Sequence, residues 1–253
     1  MTADLVILCV ASVTFFIGGL SKGAIGFGLP MIAIPMLTAT GSLPLALSIA
    51  VPPVVATNLW QIWKFRAHHH IPFMRSFLIT GLLGLLFGTF VLKNVENAYF
   101  EILLGCLVLF YLFKKNKSGK TLTPERQNRL APIIGSAAGL VHGTMGMSGL
   151  VGTPFFYAAG LSRPSFIFAN SLMFIVFSAL HMPALAVAGL YQPTALVIGL
   201  FVMIPAFAGL WIGNMLVDRL KASTFPLLVK GMLMIAAILP IWNGLAHFLS
   251  PPT

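Results

Sequence analysis

Carboxylates are nearly missing from this chain. Its 253 residues include five, Asp4, Glu96, Glu101, Glu125 and Asp218, and charged residues of all kinds make up 8%. A soluble domain carries about 25%. A water-exposed fold so poor in charge would have to show large apolar patches, which monomeric proteins avoid. Cysteine is as scarce. Cys9 and Cys106 each sit in an apolar run, and two isolated thiols do not make a disulfide framework. No Walker-type loop, nucleophile elbow or metalloprotease motif occurs, so ATP-driven work within the chain and hydrolysis are both without support. The run His68, His69, His70 lacks a nearby Cys or carboxylate cluster, and adjacent loop histidines point in different directions, so a metal site is not expected. No cofactor and no enzyme activity are expected either.

What is present is apolar sequence, 58% of the chain, in runs that recur from end to end between short turns. A membrane span needs about 20 mostly apolar residues, and several segments meet that length. The 17 prolines and 24 glycines suit the same class, since both are commoner in membrane helices than in soluble ones. The stretch Leu5 to Ile17 follows Asp4 and no Lys or Arg. That flank is wrong for a cleaved signal, so it reads as the first helix of the mature protein. The expected fold is all-α, a polytopic helix bundle with the lipid bilayer as its surroundings. The net charge of +10 lies in loops between apolar spans without aromatic interleaving. It reads as a topology signal, not as a nucleic-acid surface.

Cytoplasmic loops are enriched in Lys and Arg. The most basic stretch, Lys114 to Arg129, is placed inside, and so is Lys64 to Arg75. Two apolar segments, roughly 74–92 and 98–113, separate these loops and return the chain to the same side. Residues 44–63 run inward. The stretch at about 5–39 is interrupted at Gly18-Gly19-Leu20-Ser21-Lys22-Gly23, which puts Lys22 at an inner end. Beyond the central loop, segments at about 131–146, 149–160, 166–186, 194–216 and 224–249 follow. In this ten-segment arrangement only Lys93 lies outside and Lys230 within a span, leaving 13 of 15 Lys and Arg inside. The alternative has eight spans, with each interrupted pair read as one crossing plus a re-entrant hairpin; it would move Arg163, Arg219 and Lys221 outside. Residues 1–113 form a first transmembrane repeat, 114–130 a basic cytoplasmic loop and 131–253 a second repeat, in a multi-pass protein of the cell inner membrane.

The repeat is visible in the residues. Gly19-Leu20-Ser21-Lys22-Gly23-Ala24-Ile25-Gly26 aligns with Gly139-Leu140-Val141-His142-Gly143-Thr144-Met145-Gly146 at an offset of 120. Gly84-Leu85-Leu86-Phe87-Gly88 aligns with Gly209-Leu210-Trp211-Ile212-Gly213 at an offset of 125. Five segments per copy is an odd number, so the copies are expected in opposite orientations. Inverted repeats mark secondary transporters, whose substrate site lies at the repeat interface near mid-membrane.

The glycine-rich stretches Gly18 to Pro30 and Gly139 to Pro154 are expected to break their helices, because each glycine costs about 1 kcal/mol relative to alanine and proline removes backbone bonds. Broken backbone at membrane depth is tolerated where it is buried in protein or lines a wet cavity, and helix N-termini beside a break suit an anion. Lys22 and His142 hold equivalent places in the two breaks. Lys22 also reads as a topology charge snorkelling to the surface, and His142 as a satisfied buried histidine. No carboxylate falls at mid-membrane, which disfavours a cation site. Candidate substrate-binding residues are Ser21, Lys22, Gly23, Gly26, Asn58, His142, Gly143, Thr144, Gly146, Ser148 and Asn170. The polar span residues among them serve equally as hydrogen bonds between helices, as do Thr57, Gln61, Ser171, Ser178, Asn214 and Tyr157.

At the two breaks the chain resembles the TauE/SafE sulfite exporter family. Gly19 to Gly28 is similar to its first signature, and Gly139 to Pro154 followed by Gly160-Leu161-Ser162-Arg163-Pro164 to its second. Gly84 to Gly88 and Gly209 to Gly213 also fit. The resemblance implies a secondary transporter linked to export of sulfite or other organosulfur anions. Phe27 between Gly26 and Gly28, and Met145 and Met147 around Gly146, are bulkier than the family pattern and could reshape the site.

The function expected is therefore a secondary transporter of a small anion working by alternating access. The rivals are a passive anion channel and a membrane scaffold without transport. His142 has an unperturbed pKa of about 6.5, which would let it couple protons. A homodimer stays open, since small residues such as Gly81, Gly84 and Gly88 suit packing between helices or subunits.

Overall fold

The computed structural model describes residues 2–38, 40–113 and 121–216, and then 234, 238, 241–242, 244–247 and 249. The basic run Lys114–Lys120, the charges at Asp218, Arg219, Lys221 and Lys230, and most of the expected last segment, 224–249, lie outside these residues. Among the described residues there are ten α-helices and no strand. They are α1 (Thr2–Ile25), α2 (Leu29–Thr38), α3 (Leu43–Lys64), α4 (Met74–Asn94), α5 (Asn97–Phe113), α6 (Pro124–Met145), α7 (Gly149–Ala158), α8 (Arg163–Ala188), α9 (Pro193–Phe201) and α10 (Met203–Leu216), with a single 3-10 turn at Arg66–His68. In hydrocarbon only a helix or a closed barrel satisfies every backbone group, and the apolar runs obey that rule.

Among the described residues five stretches are long and apolar enough to cross a membrane: Val6–Ile25, Leu43–Lys64, Met74–Asn94, Arg163–Ala188 and Pro193–Leu216. The chain is a multi-pass membrane protein. Helices α2 and α7 have 10 residues each, about 15 Å of rise, half of a bilayer core of about 30 Å. The last of the five stretches is divided at Val202 into α9 and α10.

Three expectations need correction. Gly18, Gly19 and Gly23 do not interrupt the first helix; α1 continues to Ile25, and the break is confined to Gly26–Gly28. Gly139 and Gly143 are likewise helical, and the second break spans Gly146–Ser148. The central loop is shorter than 114–130, because α6 begins at Pro124. Proline at a first helical position suits helix entry, where the missing N–H is not needed.

The helical glycines instead bring backbones together. The chain divides into two compact units. One comprises Met1–Pro53, Asn94–Lys114 and Tyr191–Thr253; the other comprises Val54–Lys93 and Lys115–Leu190. In the first, α1 lies against α10. A methyl group at Gly19 would meet the Ala206 carbonyl, one at Gly23 the Leu210 carbonyl, one at Gly209 the Phe16 carbonyl and one at Gly213 the Leu20 carbonyl. In the second, α6 lies against α4. A methyl group at Gly139 would meet the Gly81 carbonyl, at Gly143 the Leu85 carbonyl, at Gly84 the Ser136 carbonyl and at Gly88 the Leu140 carbonyl. The second set of contacts is the first shifted by 120 on one helix and by 125 on the other. In both pairs the residue numbers rise together, so the paired helices run parallel.

Side chains cannot enter seams this close. Overpacking costs about 1–3 kcal/mol where neighbours yield, and a carbonyl cannot yield without breaking its helix. Gly19→Val and Gly139→Val are each expected to lower the thermal unfolding midpoint of the detergent-purified protein, by similar amounts. Leu83→Val, on an exposed residue of α4, is expected to leave it unchanged. A wild-type midpoint for Gly139→Val would refute the seam.

Candidate functional site

The first break follows from three residues. The Gly26 N–H donates to the Lys22 carbonyl at 2.8 Å and closes α1. Gly26 and Gly28 then take φ of 88° and 114°, in the region that side chains avoid. The Ser21 hydroxyl donates to the Phe27 carbonyl at 3.3 Å, so a side chain from the helix serves a carbonyl inside the break. A Cβ on Gly28 would sit 2.5 Å from that same hydroxyl. Ser21 and Lys22 are 1% and 2% exposed. A lysine reaching out to the membrane surface would be exposed, so the snorkelling reading does not fit. Gly23 faces α10, and its missing side chain is explained by that seam.

The second break is built by the other unit. Gly146 caps α6 in the left-handed conformation, φ 69°, with its N–H donating to the His142 carbonyl at 2.7 Å. The His142 ring reaches across the break, its Nδ1 3.0 Å from the Ser148 hydroxyl at the head of α7. His181 on α8 answers from the other side. Its Nε2 lies 3.1 Å from the Gly143 carbonyl. A carbonyl only accepts, so Nε2 carries the proton. Gly143 stands in the last turn of α6, where carbonyls run out of helical partners, and His181 supplies the missing donor. The two imidazoles meet edge to face at 5.1 Å. His142 also meets Phe174 at 6.1 Å and Phe177 at 5.6 Å. Asn170, Phe174, Phe177 and His181 recur at helical spacing on α8, so one stripe of that helix faces the break.

Further polar links hold the same unit. The Thr153 hydroxyl on α7 donates to Asn170 Oδ1 at 2.6 Å, and Asn170 Nδ2 donates to the Phe166 carbonyl at 2.9 Å. Asn170 thereby spends one of its two amide hydrogens. The Ser171 hydroxyl donates to Gln61 Oε1 at 2.8 Å, joining α8 to α3. All these side chains are buried. Thr144 bonds the carbonyls of Leu140 and Val141, and Asn58 Nδ2 bonds the Val54 carbonyl at 2.7 Å; these two serve their own helices. Gly143 faces α4 in the second seam.

Of the residues picked out in the sequence, His142, Gly143, Gly146, Ser148 and Asn170 gather about the second break, and Ser21, Lys22, Gly23 and Gly26 about the first. His181 escaped notice. The signal was available: it stands in an apolar helix, and an ionisable residue inside a span is a functional candidate by default. Thr153 also escaped, because a threonine beside Pro154 looks like an ordinary helix residue. Among the described residues no group of three His, Cys, Asp or Glu could hold a metal ion.

The family model described as Sulfite exporter TauE/SafE matches residues 11–239, a span holding both breaks and all four seam motifs, and the chain belongs to that family. No curated protein and no solved structure matches it. The family is one of transporters and not of enzymes, and the chain is a membrane transporter of the anion-exporter type.

Without His181 the Gly143 carbonyl would be buried without its donor, at a cost of about 1–3 kcal/mol. His181→Leu is expected to speed amide exchange across Gly146–Gly149 about tenfold or more. His181→Gln, which keeps an N–H at similar reach, is expected to restore most of the protection. Equal exchange in wild type and His181→Leu would show that the bond does not hold the break.

Proposed function

We propose that the chain exports sulfite or a similar small organosulfur or organic anion by alternating access, with the basic residue of each break, Lys22 in the first and His142 in the second, as a partner of the anion. The observation that carries this reading is a pair of buried basic residues, each ending the helix before a break, at positions 120 apart. Among the described residues Lys22, His142 and His181 are the only buried ionisable side chains, and none is a carboxylate. An oxyanion accepts hydrogen bonds, and a lysine ammonium and an imidazole N–H both donate them. At the second break Ser148, Asn170 and the start of α7 at Gly149 offer further donors to an oxyanion, and at the first break the start of α2 at Leu29 does.

The repeats are proposed to lie in opposite orientations, as five segments per copy would require. The support is the recurrence of four glycine-to-carbonyl contacts at matching offsets. The basic loops are proposed to lie on the cytoplasmic side of the inner membrane. Such repeats let one part of a carrier rock against the other around a fixed site.

The test is sulfite flux into liposomes containing the purified protein, with and without a pH gradient. Saturable flux with counterflow is expected, since a carrier shows both and a channel neither. Lys22→Ala and His142→Ala should each lower kcat/KM for sulfite about 30-fold or more, the loss of a charged hydrogen bond of about 2 kcal/mol. Unchanged flux in the double variant would reject these residues as the anion's partners, and flux that never saturates would reject a carrier.

A further inference from the structure

One end of the second unit collects positive charge. The Leu122 N–H donates to the Ala158 carbonyl at 2.9 Å and Gln127 Nε2 to the Ala159 carbonyl at 3.1 Å, which ties the start of α6 to the end of α7. Helix α8 starts from there at Arg163. Phe73, just before α4, meets Phe155 at 5.1 Å and Phe156 at 6.2 Å on α7. The 3-10 turn at Arg66–His68 packs against α8. This end therefore carries Lys64, Arg66, Arg75, Arg126, Arg129 and Arg163, against the one carboxylate of Glu125. All of these residues are exposed. The unit's only other described Lys or Arg is Lys93, at the far end of α4.

The aromatic residues there are arranged to match. Lys64 Nζ stands 4.8 Å from the Trp60 ring and the Arg66 guanidinium 5.2 Å from the Trp63 ring. Arg66 Nη1 also donates to the Trp63 carbonyl at 2.8 Å, and His69 Nδ1 donates to the Arg66 carbonyl at 3.1 Å. Trp63 is 65% exposed. Indole rings favour the depth of the lipid headgroups, so these contacts hold two cations at the level where phosphates lie. Topology alone requires positive charge at this end; it does not require cations parked on a half-buried and an exposed tryptophan beside an almost carboxylate-free surface.

We propose that this end binds anionic glycerophospholipid, with the phosphate met by Arg66, Arg75 and their neighbours and the indole of Trp63 against the glycerol region. Clusters of Lys and Arg beside a membrane attract anionic lipid by about 1 kcal/mol for each residue. The site is separate from the two breaks, and the proposal does not depend on which anion is carried.

The test uses the purified full-length chain in detergent, titrated with phosphatidylglycerol, phosphatidylcholine or inorganic phosphate, and followed by native mass spectrometry and thermal unfolding. Phosphatidylglycerol is expected to stay bound and to raise the unfolding midpoint, whereas phosphatidylcholine and inorganic phosphate do neither. Arg66→Gln/Arg75→Gln should weaken phosphatidylglycerol about 30-fold, and Lys93→Gln should leave it unchanged. Should the first pair not fold, Arg126→Gln/Arg129→Gln, on the exposed first turns of α6, is judged by the same loss. Equal retention of phosphatidylcholine, a shift reproduced by inorganic phosphate, or wild-type lipid binding in a folded arginine variant would overturn the proposal.

Discussion

Inside a bilayer no water is at hand to satisfy a backbone group, and each N–H or C=O left alone costs several kcal/mol. That constraint makes nearly every described residue helical, and it makes the two places where the helix stops the most demanding in the chain. At Gly26–Gly28 a serine hydroxyl one turn back serves the Phe27 carbonyl. At Gly146–Ser148 a histidine from another helix serves Gly143, while His142 spans the gap to Ser148. The side chains gathered at the breaks are polar and buried, and Lys22 and His142 among them are basic. On the proposed reading, structural repair and anion binding fall at the same places in the chain, a reason for a membrane transporter to keep such breaks.

The breaks need rigid neighbours, and in lipid the hydrophobic effect does not draw helices together. Close van der Waals packing through small residues takes its place. Both helices that lead into a break, α1 and α6, are held through glycines against the backbone of a parallel partner. Gly23 and Gly143 lie one residue after Lys22 and His142, so the seam fixes the turn that carries each basic side chain. Packing on one face of the helix thus sets the position of the chemistry next to it.

Much of this was legible in the sequence. Apolar runs gave the helices, with ends close to those expected for α3, α4, α5 and α8, because a run that must cross hydrocarbon has little freedom in length. The glycines that line the seams are those of the motifs matched at offsets of 120 and 125. The location of the breaks was legible only roughly. A glycine that unwinds a helix and one that lets another helix approach look alike in a single sequence, so Gly18, Gly19 and Gly23 read as a break when they are helical. His181 was missed because it has no basic partner in the other copy, where Gln61 stands at the equivalent offset. Its role depends on the Gly143 carbonyl, which becomes available only once α6 is known to stop.

The central claim is that the buried basic residues in the last turns before the breaks, Lys22 and His142, meet the anion. Equilibrium binding of radiolabelled sulfite to the purified protein tests it without reference to transport rate. The claim predicts saturable binding to the wild-type chain, at least tenfold weaker in both Lys22→Ala and His142→Ala while each variant remains folded. Saturable binding of unchanged strength in both folded variants would contradict it and place the anion elsewhere in the molecule.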